Sequence, residues 1–228
     1  MLESVLEEGE RQGEPRAVSF ALQNLATIAI LKHEYPEALS LAEEAITVCR
    51  GIGEKIALSR LITNLAELRL RLGLVQEAEQ TLAFGRKACG PGIHAGRAAH
   101  FALTASRIHL ARGNTLEAAA EAAGALAAAS SSTDGGKTCE CHRVAARIAL
   151  EDGDLARAQQ AIERAREGAT SASARAEVGV LDAHRARAAG EPYVALALEA
   201  LDLAREADDG ELAREGHLLL FYARIDAG

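Results

Sequence analysis

Across residues 54–88 apolar positions recur at helical spacing, stop, and resume. Leu61, Leu65, Ala66, Leu68 and Leu72 form one stripe, Gly73 interrupts it, and Ala78, Leu82 and Gly85 form the next. This pattern predicts helix A from about Glu54 to Leu72 and helix B from about Val75 to Ala88. A glycine suits the break, because it ends a helix in the left-handed conformation without a Cβ clash. The same grammar returns in Phe101, Ala105, Ile108, Gly113, Ala118 and Ala122. It returns again in Cys141, Ala145, Ile148, Gly153, Ala158 and Ile162. An earlier unit has Leu25, Ala26, Ala38, Ala42 and Ala45, with His33 in place of the glycine.

The interval is fixed. Ala38, Ala78, Ala118 and Ala158 are forty residues apart, as are Gly73, Gly113 and Gly153. Small residues repeating at this period inside helical patterns mark a helical-repeat solenoid. The expected fold class is all-α, a right-handed superhelical solenoid of antiparallel helix pairs with about twelve helices. One solenoid domain would run over 1–228. It starts with an orphan helix B at 2–12 and continues through repeats at 14–52, 53–92, 93–133, 134–170 and 171–208. A terminal helix A at 209–228 ends it. The fifth repeat is irregular: Gly190 and Ala195 follow Gly153 and Ala158 by thirty-seven, and Asp182 stands where Leu65 stands in the second. Gly90-Pro91-Gly92 and the stretch from Ser130 to Gly136 read as longer turns.

Composition narrows the function. Aromatics are 3% and Trp is absent, so close helix approach must supply the core contacts that large side chains do not. The net charge of −8 opposes non-specific nucleic-acid binding, which needs a dominant basic surface. The acidic start has no signal-peptide core, and no run of roughly 18 apolar residues offers a membrane span. Four cysteines make no disulfide framework, so the chain reads as cytoplasmic.

Candidate chemistry is sparse. Cys139-x-Cys141-His142 lacks the second pair of a structural zinc site, and Cys141 falls at the core position of Leu61 and Phe101. Cys49 and Cys89 are equivalent positions forty apart. Gly135-Gly136-Lys137-Thr138 resembles the end of a phosphate loop, but Ser131 stands where the first glycine is needed and no strand precedes it. No metal, cofactor or catalytic site is expected, and an enzyme is not the reading.

The residues Asn24-Leu25-Ala26, Glu37-Ala38 and Ala45, with Asn64-Leu65-Ala66, Gly73 and Glu77-Ala78, resemble the tetratricopeptide repeat. The usual spacing is about 34 residues; forty resembles the longer variant of kinesin light chains and bacterial regulators. The resemblance implies a non-catalytic scaffold whose helices A line a protein- or peptide-binding wall. Mapped here, that wall holds Gln23, Asn24, Thr27, Arg60, Thr63, Asn64, Glu67 and Arg71, then His100, Thr104, Arg107, Arg143, Arg147, His184 and Arg187. It reads as polar first and basic later, so a partner with acidic groups is expected, unless the arginines are simply solvated. Asn24 and Asn64 either grip the backbone of an extended peptide or bond a neighbouring helix. His100 and His184 would strengthen an acidic ligand's attraction below about pH 6.5.

The resemblance also suggests the regulatory or interaction region of a larger bacterial signalling protein. The alternative is a sensor whose superhelix pitch shifts on binding a small ligand or signalling peptide. The final helix carries Leu218-Leu219-Leu220-Phe221-Tyr222 and Ile225, the most apolar run in the chain. Either further repeats cover it, or it pairs two chains into a homodimer.

Overall fold

The computed structural model describes residues 1–90, 95–130 and 135–226. Among them are twelve helices and no strand. Helices B are α1 (Leu2–Gln12), α3 (Tyr35–Gly51), α5 (Val75–Cys89), α7 (Thr115–Ser130), α9 (Leu155–Gly168) and α11 (Val194–Glu206). Helices A are α2 (Pro15–Leu31), α4 (Lys55–Arg71), α6 (Ala95–Ala111), α8 (Gly135–Glu151), α10 (Ala172–Ala188) and α12 (Gly210–Asp226). The chain divides into two compact units, Met1–Arg112 with α1–α6 and Gly113–Gly228 with α7–α12.

One expected turn needs correction. Ser130 closes α7, while Gly135, Gly136, Lys137 and Thr138 belong to α8, so the phosphate-loop resemblance lies on a helix. The parts of the expected joints at 91–94 and 131–134, and Gly228, lie outside the described residues.

Helix pairing depends on small side chains. Ala38, Ala78, Ala118 and Ala158 are all fully buried. The turns that follow α2, α4, α8 and α10 are closed by backbone bonds of the Schellman type. Gly153 N–H donates to Leu150 O at 3.1 Å and Asp154 N–H to Ala149 O at 2.9 Å, with Gly153 at φ 73°. His33 makes the same turn at φ 62°, with its N–H on Ile30 O at 3.0 Å and Glu34 N–H on Ala29 O at 2.8 Å. Its ring meets the Tyr35 hydroxyl at 2.8 Å.

In the fifth repeat the buried alanine is Ala197, not Ala195, which is exposed. The turn glycine comes 37 residues after its predecessor (190 − 153), but α11 begins 39 after α9 (194 − 155). Two extra residues therefore sit in that turn, and Tyr193 fills the space with its ring buried. Asp182 is tolerated at its buried position because Arg166 and Arg185 donate to its two oxygens at 2.7 and 3.0 Å.

One pair of positions trades size. Ala45, Ala125 and Ala165 are fully buried on α3, α7 and α9, and the equivalent residue on α5 is Gly85. The next helix A carries Phe101, where Leu61 and Cys141 stand in other repeats. A Cβ on Gly85 would meet Ile62 Cγ2 and lie 2.8 Å from Phe101 Cε1, so Ile62 and the large ring together require the missing methyl. Gly85→Ala is expected to lower stability by about 1 kcal/mol, overpacking outweighing the gain in helix propensity. Adding Phe101→Leu should recover part of that loss in a urea-denaturation double-mutant cycle, the contact with Ile62 remaining. Strictly additive effects would show that the two positions are not matched.

Candidate functional site

In the N-terminal unit α2, α4 and α6 form the wall of helices A, and their side chains meet across it in a fixed register. Arg60 on α4 donates to Gln23 Oε1 on α2 at 2.7 Å, a step of 37 residues. Thr104 on α6 donates to Glu67 on α4 at 2.8 Å, again a step of 37. Glu67 also receives Arg107 at 3.0 Å. Asn24 is half-buried and its Nδ2 donates to Phe20 O at 2.7 Å, one turn back in its own helix. Thr27, exposed, donates to Gln23 O at 3.0 Å. Asn64 is exposed, as are Arg60 and Arg71, and His100 is half-buried on α6. Thr63 is buried, bonded to the carbonyls of Ser59 and Arg60, and does not reach the wall surface.

In the C-terminal unit the wall is α8, α10 and α12. Arg143 on α8 pairs with Glu177 on α10. Arg147 reaches past α10 to Glu215 on α12, donating through Nη1 and Nη2 to Oε1 and Oε2 at 3.2 Å each. Arg187 on α10 donates through Nε to Asp226 at 3.0 Å, and its guanidinium lies 4.0 Å from the centroid of the Tyr222 ring. The Tyr193 hydroxyl donates to the same Asp226 oxygen at 2.8 Å. Both donors hold the Asp226 carboxyl below the usual carboxylate range.

Of these groups Arg147, Arg187, Tyr193 and Asp226 border an open cleft of about 720 Å³. Arg147, His184 and Arg187, all singled out from the sequence, share it with Glu151, Glu191 and Tyr193, and Leu150, Leu181 and Ala188 supply its apolar lining. Arg143 is not among the lining residues of this cleft.

The charge of the wall differs from the expected one. Each later arginine is compensated: Arg107 by Glu67, Arg143 by Glu177, Arg147 by Glu215 and Arg187 by Asp226. Sequence reasoning missed Glu177, Glu215, Asp226 and Tyr193. The signal for two of them was present, because Glu140, Glu177 and Glu215 are each the sixth residue of their helix A. Arg60 and His100 occupy that same position in α4 and α6.

The four cysteines are buried and form no disulfide among the described residues; Cys49 meets Ser19 Oγ at 2.9 Å and Cys139 donates to Ala165 O at 3.2 Å. Among the described residues no group of three or more His, Cys, Asp or Glu is placed to hold a metal ion. No helix of the described residues is long and apolar enough to cross a membrane.

Paired helices repeating along the chain, closed by recurrent left-handed turns, define an all-α solenoid. No protein-family model matches the sequence, and no curated protein matches it either. Solved structures do. BtubC (BKLC) from P. vanneervenii aligns over 92% of this chain and 90% of its own, with a TM-score of 0.71 and 19% identity. A tetratricopeptide repeat protein from Parabacteroides merdae aligns over 96% and 97%, with a TM-score of 0.51 and 16% identity. The fold is tetratricopeptide-repeat-like. Folds of this kind are generally non-catalytic protein-interaction scaffolds.

Two histidines of the C-terminal unit resist protonation. Burial holds His184 below its ordinary range; Arg147 and Arg187 act the same way, while Glu215 and Glu151 oppose them. Burial, then Arg164, likewise lowers His142 against Glu167. His184 thus charges at a lower pH than its sequence context suggested. The unfolded chain takes up these protons near pH 6.5 and the folded chain only further down. Stability present above pH 6.5 is therefore lost as pH falls, until the lowered folded values are passed. Urea denaturation at about pH 7.5 and about pH 5.5 should show this loss, and His142→Gln with His184→Gln should reduce it. An undiminished loss in the double variant would assign it to other groups.

Proposed function

We propose that the chain is a non-catalytic scaffold that holds a segment of a protein partner, or a peptide, against its helix A walls. The observation that carries this reading is the C-terminal cleft. It combines an apolar lining with donors from Arg147, His184 and Arg187, the mixture an extended peptide needs for its side chains and its backbone. In the N-terminal unit Asn64, Thr27 and the free acceptor of Asn24 offer amide and hydroxyl groups to a peptide backbone. Gln23, Arg60, Glu67, Arg71, His100 and Arg107 flank them.

Acidic groups on the partner fit this site by exchange. The pairs Arg147–Glu215 and Arg187–Asp226 are each about a third or more exposed, so they contribute little. A partner carboxylate can take over these arginines at small cost. Arg107 and Arg143 are tied to Glu67 and Glu177, so reversing their charge would set like charges together and cloud any binding result.

A random peptide library panned against the protein tests the reading. Enriched peptides should carry Asp or Glu, and Asn64→Ala with Arg187→Ala should weaken them by about tenfold or more, roughly 1.4 kcal/mol. No enrichment, or equal binding by the variant, would overturn it.

The small-ligand sensor is the second reading, favoured by the cleft volume, which lies in the range of small-molecule sites. A sensor should compact on ligand binding in small-angle scattering, whereas a scaffold should not. A place in the cytoplasm as the interaction region of a larger bacterial signalling protein belongs to the same proposal, and its support is the family resemblance.

Self-association through the last helix is proposed on a corrected patch. Leu219 is fully buried, so the exposed apolar residues of α12 are Leu218, Phe221 and Ile225. Leu218→Glu with Phe221→Glu should shift a sedimenting dimer toward monomer. A wild-type protein that stays monomeric at high concentration would sink this arrangement.

A further inference from the structure

The wall of the N-terminal unit carries a cation that its neighbours leave uncompensated. The register of 37 residues that joins Gln23 to Arg60 and Glu67 to Thr104 also carries Arg60 to Arg97 on the adjacent α6. Arg97 is half-buried, and among the described residues it has neither an ion-pair nor a hydrogen-bond partner. Among the described residues Arg60 is bonded to a neutral amide alone. The acid on the same face of α4, Glu67, stands seven residues further on, about 10 Å along the helix. It is already held by Thr104 and Arg107. Burial, and then the charge of Arg60, hold the Arg97 guanidinium below the usual arginine range. Taking a guanidinium out of water beside a second one is unfavourable unless an anion joins them.

We propose that Arg60 and Arg97 form a seat for a phosphate monoester group, with Gln23 fixing the plane of Arg60. The charges match. Two guanidiniums carry two positive charges, and a phosphate monoester carries about −1.5 to −2 with three acceptor oxygens. A carboxylate would leave excess positive charge and has fewer oxygens for two planar forks. Gln23 occupies one terminal nitrogen of Arg60, which leaves its other N–H groups for the phosphate. The seat stands on the arginines alone. That the phosphate arrives on a phosphorylated side chain of a protein partner rests on the reading of this wall as the partner-binding face.

Thermal unfolding in phosphate-free buffer tests the seat, with inorganic phosphate as the probe. Phosphate should raise the Tm of the wild type and leave Arg97→Gln unmoved. Without phosphate, Arg97→Gln should unfold no lower than the wild type, since it removes a poorly solvated charge. Arg60→Gln provides a second variant with the same expected loss of response if Arg97→Gln fails to fold. No response in the wild type, or an equal response in the variants, would overturn the seat. Acidic peptides with and without one phosphoserine test the source. Phosphorylation should tighten binding by about tenfold or more in the wild type and by little in Arg97→Gln. A response to inorganic phosphate without any phosphopeptide preference would keep the seat and overturn the phosphorylated partner.

Discussion

The close crossing of helix A and helix B governs the rest of the structure. At each crossing the helix B residue is an alanine with no exposed surface: Ala38, Ala78, Ala118, Ala158 and Ala197. A larger side chain there would push the helices apart and separate the small-residue contacts on which this aromatic-poor core relies. The constraint then passes to neighbours. Where the following helix carries Phe101 instead of Leu61 or Cys141, the facing position gives up its methyl and becomes Gly85. Where two residues are added to a turn, the buried alanine moves with the helix, from the spacing of Ala195 to Ala197, and Tyr193 fills the gap.

That spacing has an electrostatic counterpart. Helices A are near enough for side chains about 37 residues apart to bond, so from α4 onward the sixth residue of a helix A helps to set the local charge of its wall. In α8, α10 and α12 this residue is Glu140, Glu177 and Glu215. The last two neutralise Arg143 and Arg147. In α4 and α6 the same position is Arg60 and His100, and the nearby Arg97 lacks an acid among the described residues. The uncompensated positive charge thus belongs to the N-terminal unit, whereas the sequence placed most of the basic wall further along the chain.

The fold was legible because its determinants are local and periodic. Leu61, Leu65 and Leu68 repeat at helical spacing, Gly73 punctuates, and Ala78 recurs at forty, so helices A and B were placed within a residue or two of Lys55–Arg71 and Val75–Cys89. The site was less legible, because its charge state depends on which side chains meet across helices. Arg147 was visible as a wall residue, but its partner Glu215 lies 68 residues away and two helices A further on. Tyr193 was missed because a turn residue follows no helical period. Leu219 and Leu218 were indistinguishable as members of one apolar run. Which of them faces inward depends on the packing of α12 against α11 and α10.

The bond from Arg147 to Glu215 has a mechanical consequence. A chain of stacked helix pairs whose contacts are only between neighbours extends under tension like a soft spring, each joint opening a little. Within the C-terminal unit this two-pronged bond spans two intervals, from α8 to α12, while α10 lies between them. Any stretch along that side loads this bond together with both joints it spans, although a pair this exposed adds only a small resistance. The bond is thus a weak cross-tie over two intervals at once, and it is lost in one step when the carboxylate lets go.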